Sequence, residues 1–334
     1  MLIRMENVIE YETIKMDIVF CIDNNYVMPC GIVMVSVLEN NKNTLITFHI
    51  IGMDLSENSK NELLAVADLY TGATVLLYDI KKEMLESYNF SLYDSPHLSL
   101  AAYSRLFLID ILPKNVDKAI YLDADMIVTN SLSELWNTDI SDYAVAGVPD
   151  PYCMFHTDIY KNFGYNDTFQ YINSGVLLMN LKYWREHNLK DRFIQFYNEN
   201  SDKLLYHDQD IINGTLHDSI LYLPIKYNVT DFYYLTIENK QLRQYKDEAS
   251  KAIYDPLIIH YTSTFKPWLK ICRHPLRKVF LKYKNVSPWK DVPLSWNDES
   301  FGKKIRFYKR LLLSTLGLRK KNRYLPFKQE DKQL

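Results

Sequence analysis

The sequence predicts an α/β chain built on a mostly parallel sheet. Short apolar runs recur through the first half, at 17–22, 45–51, 73–77 and 118–122. Stretches with helical spacing lie between them, and strand–helix units of this size pack as a parallel sheet covered on both faces. Asp23 and the pair Asp123/Asp125 fall just after apolar runs, at the strand ends where such sheets bind ligands.

Each element follows in turn. The run 17–22 (DIVFCI) stops at the polar Asp23-Asn24-Asn25, and a helix fits 28–40 with Val33, Val37 and Leu38 on its apolar face. After the strand 45–51, Ser56 is a capping residue for a helix to about Tyr70, with Leu63, Leu64 and Ala67 inward. A strand at 73–77, a helix over 98–109 and a strand at 118–122 come next. Further on, 143–148 and 171–179 read as strands, and 181–198 and 209–215 as helices. The tyrosine-rich, polar stretch 226–256 reads as a loop or small insertion, and 257–261 as the last strand. There are no internal repeats and no low-complexity linker. The chain therefore divides into an N-terminal extension (1–15), one main domain (16–270) and a basic C-terminal region (271–334) ending in an appended helix.

Composition is that of a globular protein, with 47% hydrophobic and 24% charged residues. The 26 tyrosines fill half-buried positions or line sugar-binding ground. Four scattered cysteines, Cys21, Cys30, Cys153 and Cys272, lack metal-type spacing and read as buried free thiols. The first fifteen residues carry three glutamates and no long apolar stretch, and no run of eighteen apolar residues exists, so a cytoplasmic protein is expected. The net charge of −2 hides an asymmetry. Residues 303–323 carry nine Lys and Arg and no acid, leaving 30 basic residues against 41 acidic ones elsewhere. On a helix, Ile305, Tyr308, Leu312 and Leu316 form one face, broadened by Leu311 and Leu313, with basic residues at both ends. That is the pattern of a helix lying on an anionic membrane surface, although a helix packed on the main domain with a solvated basic face shares it. A broad leucine face and the lack of a matching motif argue against nucleic acid.

The sharpest chemical feature is Tyr121-Leu122-Asp123-Ala124-Asp125-Met126-Ile127-Val128. Two carboxylates one residue apart after an apolar strand project to one side and repel, which favours a bound cation. Hard oxygen ligands suit Mg²⁺ or Mn²⁺ shared with substrate phosphates; alone, such a pair also occurs in solvated turns. Asp23 and Asn25 fit a turn as well as a site, and so does Asn173 before Ser174-Gly175. Asp208 and Asp210 near a helix start also complement the helix dipole, the preferred reading for Asp210.

Six motifs in order, DIVFCIDNNY, AAYSRL, YLDADMIV, INSGVLLMNLKYWR, YHDQDIIN and HYTSTFKPW, make the chain resemble the retaining glycosyltransferase family 8, in particular its bacterial lipooligosaccharide galactosyltransferases. The resemblance covers about 16–268 and implies a GT-A fold, with a Rossmann-like nucleotide-binding half and a mixed, mostly parallel central sheet. It also implies transfer of galactose or glucose from a UDP-sugar to a glycan or glycolipid acceptor, which the basic tail would bring to the inner face of a membrane. Asp23, Asn25 and Tyr26 would hold uracil and ribose. Asp123 and Asp125 would hold Mn²⁺ (or Mg²⁺), with His260 as third ligand, Ala124 beside the donor and Lys266 on the diphosphate. Arg105, Asp150, Asn173, Asp208 and Gln209 would surround the hexose, with Gln209, Asp208 and Asp150 nearest the chemistry. One departure lies in the last motif: the galactosyltransferases carry Gly-Pro where this chain has Ser263-Thr264. Three rival functions fit less well. A sugar nucleotidyltransferase would need a glycine-rich phosphate loop after the first strand, which Asp23-Asn24-Asn25-Tyr26 is not. Intact Asp123, Asp125, His260, Lys266 and Gln209 argue against a non-catalytic glycan binder. A self-glucosylating primer protein is the third, suggested by the tyrosine content.

Overall fold

The computed structural model describes residues 14–81, 83–84, 100–154, 163–164, 169–235, 245–296 and 300–316. Its strands are β1 (Lys15–Ile22), β2 (Leu45–Met53), β3 (Ala73–Ile80), β4 (Lys118–Leu122), β5 (Met126–Val128), β6 (Val145–Pro149), β7 (Ile172–Asn180), β8 (Ile220–Tyr222), β9 (Val229–Thr230) and β10 (Ile258–His260). Seven form one sheet in the order β3-β2-β1-β4-β7-β6-β8, and β5-β10-β9 form a second. In the large sheet β1 to β4 run parallel, while β7 runs antiparallel to both β4 and β6. The sheet is thus mixed and mostly parallel, as expected.

The strands read as continuous apolar runs because both sheet faces are covered. Along β1 and β4, Ile18, Phe20, Ile120 and Leu122 join one core, while Val19, Ala119 and Tyr121 join the other. Helix Val27–Asn40 is buried almost all round because it lies between the large sheet and β5. Gly31 makes room for the Trp289 ring, which a Cβ there would meet at 2.0 Å. The Trp289 indole donates to Glu62 at 3.0 Å. Trp289 and helix Arg277–Asn285, with Val279, Phe280 and Tyr283, belong to the same core as β1.

Several expectations change in detail. Ser56 caps helix Glu57–Ala67 by accepting from the Ser59 N–H. Its buried residues are Leu63 and Val66, one turn apart, whereas Leu64, about 100° further round, is 40% exposed. The segment expected as a helix over 98–109 is a 3₁₀ stretch, Leu100–Phe107, followed by the α-turn Leu108–Ile111, with 98–99 outside the described residues. The helix expected at 181–198 is two, Leu181–Glu186 and Leu189–Asn200, broken at Asn188 in the left-handed region with φ 51°. The stretch 226–256 is not simply a loop, since it contains β9 and helix Lys246–Tyr254. The basic segment forms helix Phe301–Thr315, on which Ile305, Tyr308, Leu312 and Leu316 are all exposed. Residues 317–323 of that segment, and the extension before residue 14, lie outside the described residues. The four cysteines are free, and three are buried while Cys21 is half-buried. No described helix is long and apolar enough to cross a membrane.

Candidate active site

Strand directions assemble the site. β1 and β4 are parallel, so Ile22 and Leu122 end on the same edge. Because β7 runs antiparallel to β4, with Leu122 opposite Val176, its first residues Asn173, Ser174 and Gly175 arrive beside Asp123. The Asp123 N–H donates to the Gly175 carbonyl at 2.8 Å. The chain then bends through Ala124 and Asp125 into β5, whose antiparallel partner β10 sets His260 opposite Met126. The two aspartates therefore do not alternate along one strand. They occupy the bend that joins the two sheets, and the second sheet supplies the histidine.

One ligand atom from each of Asp123, Asp125 and His260 lies within 4.8 Å of the others. His260 Nε2 is 3.2 Å from Asp125 Oδ1 and 3.8 Å from Asp123 Oδ2. Asp125 Oδ1 is buried and accepts no hydrogen bond, which is an unsatisfied anionic oxygen facing an imidazole. Two carboxylates and one imidazole are a donor set that suits a divalent ion. Gly175 closes the back of this group: a Cβ there would meet His260 Cε1 at 2.4 Å and Asp123 Oδ2 at 2.8 Å. On the open side the Lys266 ammonium donates to Asp125 Oδ2 at 2.6 Å and to the Tyr261 carbonyl at 2.8 Å. Burial acts to raise the Asp125 pKa, but Lys266 and His260 together outweigh it and hold the carboxyl well below its usual range.

Arg105 sits beneath the cluster and is nearly fully buried. Its Nη2 donates to Asp123 at 3.0 Å, its Nε is 3.2 Å from Asp208, and its Nη1 donates to the Ser174 carbonyl at 2.8 Å. Its guanidinium also lies 4.2 Å above the Tyr121 ring. Burial works against this charge, but Asp208 and its neighbours raise the Arg105 pKa still further, so it stays charged. Burial raises the pKa of Asp208 while Arg105 draws it back.

Helix Asp208–Leu216 brings the remaining polar groups. It starts after His207, a non-glycine residue held at φ 53°, ψ −117°, a conformation that costs energy and clusters at functional sites. Gln209 Oε1 accepts from the Ser174 N–H at 3.0 Å, and its Nε2 donates to Asp150 at 3.3 Å. Asp150 also accepts from the Tyr152 and Cys153 N–H groups and from Asn173. Asp210 faces away from the cleft and accepts from the Tyr171 hydroxyl and the Leu205 and Tyr206 N–H groups. It is structural, in keeping with the preferred reading.

A cleft of about 490 Å³ is lined by Tyr26, Arg105, Asp123, Ala124, Asp125, Asn173, Asp208, Gln209, His260 and Lys266. A second cleft of similar volume shares Asn173, Tyr206, Gln209 and Thr262 with it and adds Asp150, Tyr152, Asp231, Phe232, Ser263 and Thr264. Asp23 and Asn25 line neither cleft. The Asp23 carboxylate caps the turn by accepting from the Asn25 N–H at 2.8 Å, and the turn presents Tyr26 edge-on to Trp268. Sequence reasoning missed Gly175 as a close-approach position and missed Asn228. Asn228 accepts from His260 and donates to Asn173. The only signal for Asn228 was an asparagine just before a two-residue strand.

The sheet and the clefts at its strand ends are those of a glycosyltransferase with the GT-A fold. The chain belongs to glycosyltransferase family 8, whose profile matches residues 17–272. It is 32% identical over 274 residues to a lipopolysaccharide 1,2-glucosyltransferase of Escherichia coli, covering 81% of this chain and 78% of that protein. It is 28% identical over 281 residues to general stress protein A of Bacillus subtilis, covering 83% and 96% respectively. The crystal structure of the galactosyltransferase LgtC with donor and acceptor sugar analogues matches with a TM-score of 0.73 at 27% identity, over 82% of this chain and 96% of that one.

Proposed function

We propose that this chain is a retaining hexosyltransferase that moves galactose or glucose from a UDP-sugar to a lipooligosaccharide or other surface glycan, using Mn²⁺ or Mg²⁺. The observation that carries this reading is the Asp123/Asp125/His260 cluster opening, with Lys266, into the same cleft as Gln209. The glucosyltransferase activity of the E. coli relative and the sugar analogues in LgtC suggest the substrate classes. A divalent ion held by Asp123, Asp125 and His260 would neutralise the diphosphate and so make it a better leaving group. Tyr26, which lines the cleft beside the turn of Asp23 and Asn25, would take the base. Lys266 would contribute a second positive charge to the diphosphate, and Arg105 orients Asp123 through its Nη2 contact.

The residues around the hexose favour substitution on one face. A double displacement needs a carboxylate free to attack the anomeric carbon. Both oxygens of Asp150 accept hydrogen bonds, Asp208 is held by Arg105 and Ser174, and the remaining group, Gln209, is a weakly nucleophilic amide. In the single-face reaction the acceptor oxygen bonds to the anomeric carbon as the carbon–phosphate oxygen bond breaks. The hydroxyl proton passes to the departing phosphate, giving the glycoside and UDP. Gln209→Ala should then slow transfer by about 10- to 100-fold, the loss of one hydrogen bond in the transition state. A loss on the order of a million-fold, measured in single turnovers, would instead indicate a nucleophile. The acceptor is assigned to the second cleft, where Tyr152 and Phe232 give aromatic surface next to Gln209.

We further propose that 303–323 holds the enzyme on the cytoplasmic face of a membrane. Support comes from the exposed stripe Ile305, Tyr308, Leu312 and Leu316 beside Lys304, Arg306, Lys309 and Arg310. Each basic residue near an anionic surface contributes about 1 kcal/mol, and each buried leucine roughly 1.5–3. A chain ending near Glu299 should keep donor hydrolysis and lose co-sedimentation with phosphatidylserine vesicles. Equal sedimentation of the full and shortened chains would refute the anchor. Calorimetric UDP titration tests the wider reading: affinity should rise on adding Mn²⁺, and an unchanged affinity would count against it.

A further inference from the structure

The described hydrogen bonds fix which way each amide in the cleft points. Asn173 Oδ1 accepts the Gly175 backbone N–H at 3.0 Å, so that atom is an oxygen. The Asn228 atom 2.8 Å from it must then be the donor, Nδ2. Asn228 Oδ1 therefore faces His260 Nδ1 at 2.9 Å, and Nδ1 must carry the proton. Nε2 is thereby the nitrogen turned toward Asp125 Oδ1, 3.2 Å away, and the one left to ligate a metal. The direction continues on the other side. Gln209 Oε1 accepts the Ser174 backbone N–H, and the Nδ2 of Asn173 donates to both Gln209 Oε1 and the Asp150 carboxylate. One run of hydrogen bonds thus leads from the histidine, through two asparagines, to the amide and carboxylate beside the second cleft. Its middle member, Asn228, is almost fully buried.

We propose that Asn228 is a positioning residue: it holds His260 in the tautomer whose Nε2 can ligate a metal, and it fixes Asn173, and through it Gln209, in the sugar-facing orientation. This rests on the metal and donor reading given above. Groups that orient a metal-binding histidine through its other nitrogen set both ring direction and ligand basicity. The Asn228 side chain serves the metal ligand with its oxygen and the sugar side with its nitrogen, so the two roles can be separated by substitution.

The test uses the full chain and reads Mn²⁺ affinity in saturating UDP from the free-ion electron paramagnetic resonance signal, alongside UDP release from UDP-galactose or UDP-glucose. Asn228→Leu removes both contacts and should weaken Mn²⁺ binding by about 10- to 100-fold. Asn228→Asp still accepts from His260 but cannot donate to Asn173. It should hold Mn²⁺ within about threefold of the parent and yet release UDP about tenfold more slowly. A merely structural role would move both readouts together in Asn228→Asp, so this variant decides the matter even if Asn228→Leu fails to fold. Unchanged Mn²⁺ affinity in a folded Asn228→Leu, a loss in Asn228→Asp equal to that in Asn228→Leu, or undiminished UDP release in Asn228→Asp would each overturn the proposal. Absence of Mn²⁺ binding in the parent chain would instead overturn the functional reading beneath it.

Discussion

Asp125→Asn is expected to abolish the Mn²⁺ enhancement of UDP binding and to slow sugar transfer by about a thousandfold. The carboxylate supplies the buried oxygen facing His260 and the 2.6 Å partner of Lys266. The sequence suggests that neutralising one of two repelling aspartates leaves the fold untouched, but the structure alters that expectation. Asp125 is already paired with a nearly buried lysine, so the amide weakens a charge-assisted contact and should cost about 1.5–3 kcal/mol of stability as well. Chemical denaturation gives the second quantity separately from the first. Full stability together with full metal enhancement would show that Asp125 plays neither part.

Arg105→Met should be the most destabilising single change at the site. It leaves Asp208 and Asp123 close together without their shared cation, in a place where Arg105 is 4% exposed. Removing one member of a buried ionic group costs about 3–5 kcal/mol because the other charge stays desolvated. Adding Asp208→Asn should therefore return part of the loss, and the double-mutant cycle measures how much. Strictly additive losses would mean that Arg105 acts through its other contacts, with Asp123, Ser174 and Tyr121, and not through Asp208.

The longer strands and the Asp123/Asp125 pair were legible because their signals are local, whereas Arg105, Asp150, Gln209, His260 and Lys266 entered only through the resemblance to the family. A run such as Lys118–Leu122 is apolar on both faces, and the aspartates that follow it break the pattern sharply. What was not legible depends on contacts distant in sequence. Nothing in Ile172–Asn180 says that β7 runs against β4, yet that direction is what carries Asn173 to Asp123. The three-residue β5 is hidden in the apolar end of YLDADMIV, and its pairing with β10 is what brings His260 in. Asn228 and helix Lys246–Tyr254 fell within a stretch too polar and tyrosine-rich to show a period. Asn188 broke an otherwise regular helical pattern by adopting a left-handed conformation that side-chain spacing does not report.

The most direct test of the account is donor hydrolysis without an acceptor. The full chain is incubated with Mn²⁺ and, in turn, UDP-galactose, UDP-glucose, UDP-N-acetylglucosamine and UDP-glucuronate, and released UDP is counted. UDP should appear from UDP-galactose or UDP-glucose ahead of the others, stop on chelation and return when Mn²⁺ is restored. Release that is indifferent to chelation, or no release from either hexose donor, would contradict the assignment of Asp123, Asp125 and His260 as the metal-holding centre of a hexosyltransferase.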